Sequence, residues 1–199
     1  MNELFTTPPR RPATRAADGL PRWSWTIAEI ERMAAAGYFH EDERIELLGG
    51  EIVPMSPKGR RHEMLRDELT FRFTRLAPAG IFVAAEPQFN LSQDTYTVPD
   101  ILVRPAAIKT YDLRGADALL VIEVADTSLG YDLKIKMPLY ASHGVREYWV
   151  INAVTLLTTV YRQPSGNTYA VTEEFPADAQ LIPSLVPQLA VSLKAISID

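Results

Sequence analysis

The chain has 199 residues, of which 47% are hydrophobic and 23% charged, and its formal net charge is −5. This length and composition fit one globular domain and exclude wholesale disorder. The absence of cysteine excludes disulfides, thiolate metal ligands and a cysteine nucleophile, and the acidic balance provides no general affinity for nucleic acid.

The N-terminal segment, residues 1–22, is rich in proline and arginine and has few large apolar side chains. This composition predicts a flexible basic arm before a domain over residues 23–199, and contact of the arm with DNA phosphates is the open alternative. No apolar run approaches the roughly 20 residues of a membrane-spanning helix, and the N-terminus lacks the apolar core of a secretory signal. We therefore expect a cytoplasmic protein with no membrane partner.

The first predicted elements are a helix and a hairpin. Thr26 and Glu29 have capping-box spacing, which predicts a helix from residue 27 to about residue 38. Gly49 and Gly50 separate two short runs typical of strands and predict a two-residue turn, because glycine tolerates positive φ. The predicted strands are 44–48 and 51–55.

The rest of the chain alternates strands with two helices. Apolar residues recur every three or four positions over 59–76, which predicts a long amphipathic helix ended by Pro78. Asp132 is predicted to cap a helix that runs to about His143, and the tail beyond Pro176 is predicted to pack as a closing strand or loop. Strands are predicted at 81–84, 88–91, 97–103, 119–124, 148–151 and 157–161. This order predicts an α/β fold, a mixed β-sheet flanked by helices.

Two acidic residues stand inside apolar strand segments. Asp100 lies in Val-Pro-Asp-Ile-Leu-Val, and Glu123 lies near the end of Leu-Val-Ile-Glu-Val, the most apolar strand predicted. Burying a lone carboxylate is costly, so such a residue is usually paired, hydrogen-bonded or metal-bound. Two of them on neighbouring strands predict one shared Mg²⁺ or Mn²⁺ ion, the chemistry of phosphodiester hydrolysis. A backbone-bonded Asp100 and an arginine-paired Glu123 are the structural alternatives.

Three stretches carry a resemblance to a known family. They are RIELLGGEIVPMSPKGRRHEML at 44–65, VPDILV at 98–103 and VIEVADTSLGYDLKIKMPLYASHGVREYWVIN at 121–152. The chain resembles the Uma-type family of restriction endonucleases, within the PD-(D/E)XK nuclease superfamily. The resemblance implies a restriction-endonuclease-like sheet and Mg²⁺-dependent cleavage of DNA.

The resemblance also assigns roles by position. Pro99-Asp100 matches the Pro-Asp element, and the segment from Glu123 through Val124 to Ala125 stands where Glu-x-Lys is expected. Asp100, Glu123 and Val124 are thereby predicted as metal ligands. The lysine of the element is absent, because Ala125 occupies its place.

Four further residues are candidates for the site. Lys134 and Lys136 lie roughly 200° apart on a helix, so only one can face the sheet. The resemblance implies that Lys136, four residues after Asp132, is the catalytic cation. By motif alone, Glu46 is predicted as a further catalytic acid and His62 as an accessory residue. The structural alternatives are solvated lysines, a polar position in a half-exposed strand, and a histidine with only local hydrogen bonds.

These observations predict a Mg²⁺- or Mn²⁺-dependent endonuclease acting on DNA. The alternative is a catalytically inactive nuclease-fold module that binds nucleic acid or a protein partner, which the missing Glu-x-Lys lysine permits. A homodimer is expected, because two sites related by a two-fold axis can cut both strands of a duplex.

Overall fold

The structure is a computed structural model that describes residues 14–15, 21–40 and 42–196. The chain divides into two compact units, one made of Met1–Met55 with Ser92–Tyr96 and the other of Ser56–Leu91 with Thr97–Asp199. Most of the predicted arm over 1–22 lies outside the described residues. Its described part is two antiparallel strands, β1 Thr14–Arg15 and β2 Pro21–Arg22. Within the described residues, no helix is both long and apolar enough to cross a membrane.

The first unit contains the predicted helix and hairpin. Helix α1, Ile27–Ala35, begins with the capping box, in which the Thr26 N–H donates to Glu29 Oε2 at 2.8 Å. Gly49 and Gly50 have φ of +58° and +83° and form the turn between two antiparallel strands. These strands are β3 Ile45–Leu48 and β4 Glu51–Pro54. Both predictions are confirmed.

The remaining strands, in chain order, are β5 Ile81–Ala85, β6 Phe89–Asn90, β7 Tyr96–Thr97, β8 Ile101–Pro105, β9 Leu120–Ala125, β10 Glu147–Asn152, β11 Thr158–Ser165 and β12 Thr168–Phe175. In the second unit, six described strands form one mixed sheet in the order β12-β11-β10-β9-β8-β5. Strands β9 and β10 are parallel, and the other neighbours are antiparallel. The predicted mixed α/β fold is confirmed.

Two strand predictions differ from the structure. The segment 97–103 was predicted as one strand but forms two, β7 and β8, because Pro99 has no N–H to donate to a ladder. Strand β12 was not predicted, because its side chains are mostly exposed and its apolar alternation is weak.

Two helices cover the sheet of the second unit. Helix α2, Arg60–Leu76, buries Leu65 and Leu69 in a cluster with Ile122 of β9. Helix α3 consists of three consecutive segments, Leu129–Tyr131, a π-helical Asp132–Lys136 and Met137–Ser142. Its Tyr140 packs in a second cluster with Val121, and since Val121 and Ile122 are consecutive strand residues, the helices lie on opposite faces of the sheet.

The prediction that Asp132 caps α3 was wrong. The helix begins at Leu129, and the Asp132 N–H already donates to the Ser128 carbonyl at 3.0 Å. The Asp132 carboxylate accepts a hydrogen bond from Ser128 Oγ at 2.7 Å, a local bond that holds the side chain one turn inside the helix.

Short 3₁₀ turns complete the second unit. They are Thr110–Asp112, Gly115–Asp117, Pro187–Leu189 and Leu193–Ala195. The tail beyond Pro176 packs as a closing loop with one antiparallel bridge between Leu181 and Val191, and Leu189 is fully buried.

Candidate active site

The two predicted acids occupy neighbouring strand ends. Ile101 of β8 pairs with Ile122 of β9 in antiparallel register. Asp100 precedes one partner and Glu123 follows the other, so the same register places the two acids opposite each other. Both are buried, at 2% and 4% exposure. The sheet topology therefore places side by side the main chains of two acidic residues that are 23 positions apart in the chain.

The Asp100 carboxylate is bound from three directions. Its Oδ2 accepts a hydrogen bond from the Val124 main-chain N–H at 2.7 Å and lies 2.9 Å from His62 Nε2. Its Oδ1 accepts a hydrogen bond from Lys58 Nζ at 2.6 Å. Nδ1 of His62 is buried and has no hydrogen-bond partner among the described residues.

These contacts set the protonation of Asp100. Burial alone would raise its pKa, but the hydrogen bond and charge of His62 and the charge of Lys58 outweigh burial and lower the pKa to about 2. The carboxylate is therefore ionised throughout the physiological pH range.

The Glu123 carboxylate is bound by helix α3. Its Oε1 accepts hydrogen bonds from Lys136 Nζ at 2.9 Å and from the Tyr140 hydroxyl at 3.0 Å. Lys136 is buried and its ammonium lies 5.6 Å from the centre of the Tyr131 ring, while Lys134 is exposed. Of the two candidate lysines, Lys136 is the one that reaches Glu123, and its catalytic role stays a prediction.

Lys58 and Glu86 are site residues that the sequence analysis missed. Lys58 forms an ion pair with Glu86 as well as with Asp100, so its ammonium bridges two carboxylates. Glu86 also accepts from Arg66 Nη1 at 2.9 Å, and its N–H donates to the Asp100 carbonyl at 3.1 Å. We call Lys58, His62, Glu86 and Asp100 the Asp100 cluster, and Glu123, Lys136 and Tyr140 the Glu123 cluster.

Gly59, the residue after Lys58, lies beside the side chain of Asp126, just after β9. Gly59 is the N-cap residue of α2, and a Cβ there would lie 2.4 Å from Asp126 Oδ2. A side chain at position 59 would displace Asp126, three residues after Glu123. Two sequence signals accompany these residues: Lys58 stands four positions before His62, and Glu86 stands between a predicted strand and Pro87.

Glu46 lies in the first unit, on β3, and is buried. Burial, followed by the charge of Glu46, raises the pKa of Tyr96 in the same unit to about 12. The other predicted site residues lie in the second unit, so a catalytic role for Glu46 stays a prediction.

The donor atoms near the strand ends are of the chemical type that a hard divalent cation binds. The Ala125 carbonyl accepts from the Ala153 N–H, and main-chain groups alternate along a strand, so the Val124 N–H and carbonyl both face the side of Asp100. Two carboxylates and one carbonyl are oxygen ligands, and Mg²⁺ typically takes one or two carboxylates and completes its shell with water and phosphate. No group of three or more His, Asp or Glu in the described part of the chain is arranged to hold a metal, which is compatible with such a sparse site.

Comparisons with known proteins agree with this fold. The Uma2 family model, described as "Putative restriction endonuclease", matches residues 27–195. A solved structure of "a putative nuclease belonging to DUF820" from Anabaena variabilis is 20% identical, with a TM-score of 0.68. The match covers 86% of this chain and 96% of that chain, and at this identity it shows a common fold. No curated protein matches the chain.

Proposed function

The chain belongs to the Uma2 family of restriction-endonuclease-like proteins, and we propose that it is a Mg²⁺- or Mn²⁺-dependent endonuclease that hydrolyses phosphodiester bonds in DNA. The observation that carries the proposal is the pair of buried carboxylates at neighbouring strand ends, each in contact with a lysine. Carboxylate oxygens are the ligands that Mg²⁺ and Mn²⁺ prefer, so two acids on neighbouring strands are suited to bind a divalent cation.

In the proposed mechanism, Asp100, Glu123 and the Val124 carbonyl would hold the metal ion. When bound, the ion would polarise a phosphoryl oxygen and lower the pKa of the attacking water. Val124 N–H and His62 orient the Asp100 carboxylate, and Tyr140 orients that of Glu123.

Lys136 provides the positive charge that the Glu-x-Lys lysine would otherwise supply. Its ammonium contacts Glu123, and a fixed cation there stabilises the negative charge that develops on the phosphate. Ala125, at the lysine position of the element, is fully buried in the apolar cluster beneath α3. Glu46 is proposed as an assisting acid, on the motif alone.

The proposal is tested by nicking of supercoiled plasmid DNA in Mg²⁺ and in Mn²⁺. We expect Asp100→Asn and Glu123→Gln each to reduce the nicking rate by roughly 10³-fold or more, because each removes a metal-binding charge. Asp178→Asn, at an exposed position, is the matched control. Wild-type cleavage by both site variants, with folding verified by circular dichroism, would refute the assignment.

One observation favours a second candidate function. With Ala125 in place of the lysine, the protein could be a nuclease-fold module that binds nucleic acid or a protein partner without cutting. Gel-shift binding of duplex DNA without nicking in either metal would favour this module. Metal-dependent nicking lost in Asp100→Asn would exclude it.

The proposal includes the assembly state. Cleavage of both strands of a duplex is naturally achieved by two sites related by two-fold symmetry, so we propose a homodimer on DNA. Sedimentation with and without a short duplex tests this, and a monomer under both conditions would contradict it.

A further inference from the structure

The ammonium group of Lys58 lies where two carboxylates meet. It donates to Asp100 Oδ1 at 2.6 Å and forms an ion pair with Glu86, and its side chain is 13% exposed. The Asp100 side chain is only 3% exposed. A carboxylate this buried requires a neighbouring positive charge or full hydrogen bonding. Lys58 supplies that charge for Asp100 and for Glu86 together.

The two carboxylates are positioned by contacts that do not involve Lys58. Asp100 Oδ2 is bound by the Val124 N–H and His62, and the Glu86 carboxylate is bound by Arg66. The main chains of residues 86 and 100 are also joined, by the Glu86 N–H and the Asp100 carbonyl. An anionic pocket of the same shape would therefore remain if the ammonium group left.

Lys58 is held in a way that permits departure. It stands in the loop that precedes α2, and its four-carbon side chain carries a compact charge that can move toward solvent. Lys136, in contrast, belongs to helix α3, is 5% exposed and lies against the Tyr131 ring. Lys136 is therefore held in place more firmly than Lys58.

We propose that Lys58 is an internal counter-ion that competes with the divalent metal ion for Asp100. The inference rests on the proposed function, because it presupposes that Asp100 binds the metal. A monovalent ammonium and a divalent cation at one carboxylate repel each other, so binding of one disfavours the other. Lys58 neutralises the site in the metal-free protein, and metal binding displaces it.

Calorimetric titration of the full chain with MnCl₂, without DNA, tests the proposal. We expect Lys58→Met to bind Mn²⁺ at least tenfold more tightly than wild type, a change of about 1.4 kcal/mol. In a chelator, the midpoint of thermal unfolding should be lower for Lys58→Met than for wild type. Addition of Mn²⁺ should raise the midpoint of the variant by more than it raises that of wild type. Lys109→Met, at an exposed position, is the matched control and should titrate like wild type. The double variant Lys58→Met with Asp100→Asn should not show this increase in Mn²⁺ affinity.

The outcomes separate this inference from the proposed function. If Asp100→Asn removes Mn²⁺ binding but Lys58→Met binds no more tightly than wild type, the counter-ion inference is wrong and the metal site stands. If neither wild type nor Lys58→Met binds Mn²⁺, both fail. If Lys58→Met folds only with Mn²⁺, the inference is supported, and failure to fold with Mn²⁺ as well would overturn it. Loss of nicking with unchanged Mn²⁺ affinity would instead identify Lys58 as a catalytic lysine.

Discussion

The Asp100 cluster and the Glu123 cluster neutralise a buried carboxylate in two different ways. The partners of Asp100 come from a loop, the start of α2 and the β9 main chain, and its lysine is shared with Glu86. The partners of Glu123 include Lys136 and Tyr140, both from α3, and Lys136 is more deeply buried than Lys58. The comparison distinguishes a lysine in a loop, which we propose is displaced by metal, from a lysine in a helix, which we propose stays in place.

Among the variants that leave both carboxylates in place, the largest expected effect comes from removing the charge of Lys136. We expect Lys136→Met to reduce plasmid nicking by roughly 10²- to 10³-fold, because a preorganised charge near the developing negative charge is lost. Mn²⁺ affinity should not fall, since the variant removes a cation and no ligand. Lys109→Met is the control, and full activity of Lys136→Met together with loss in Lys134→Met would contradict the choice of lysine.

The next effect concerns acid stability of the Asp100 cluster. The pKa of Asp100 in the folded protein, about 2, lies below the ordinary aspartate pKa of 3.8. The folded state therefore binds the proton of this carboxyl group less tightly than the unfolded state does. The resulting stabilisation, roughly 2 kcal/mol, is present above about pH 4 and is lost as pH falls through about pH 2.

Urea unfolding between pH 2 and 6, in a chelator, measures this dependence. Asp100→Asn should lose stability at neutral pH and show a shallower decline between about pH 4 and 2 than wild type. If the free energy of unfolding falls equally steeply with decreasing pH in the two proteins, the Asp100 cluster does not lower the pKa of Asp100.

The smallest effect expected is that of the Tyr140 hydroxyl. Tyr140→Phe removes a hydrogen bond to Glu123 but leaves the Lys136 ion pair, so we expect about 1 kcal/mol of destabilisation. The nicking rate should fall only a few-fold. Tyr161→Phe, two rings further along the same aromatic row, is the control, and a loss as large as that of Lys136→Met would mean that Tyr140 has a direct catalytic role.

The parts of the molecule that local pattern determines were predictable. The capping box before α1, the Gly49-Gly50 turn and the apolar period of α2 each act within a few residues, and the structure contains all three. Asp100 and Glu123 were conspicuous because a charge inside an apolar strand is costly, whatever its partners are.

The parts that depend on long-range approach were not predictable. Lys58 and Asp100 are 42 residues apart and meet because α2 packs on the sheet that contains β8 and β9. Its position four residues before His62 does not by itself distinguish Lys58 from a solvated lysine. The angular position of Lys136 also depends on the π-helical segment of α3, where the regular α-helical spacing used for the prediction does not hold.

The backbone at Glu86 has φ of +48°, a left-handed conformation that glycine and asparagine adopt far more readily than glutamate does. Replacement by glycine would relieve the main chain and at the same time delete an anionic partner of Lys58 and Arg66. Selection for thermal robustness and selection for the charge arrangement therefore oppose each other at this position. Where the charge of Glu86 is not needed, glycine is therefore the residue that this backbone conformation favours.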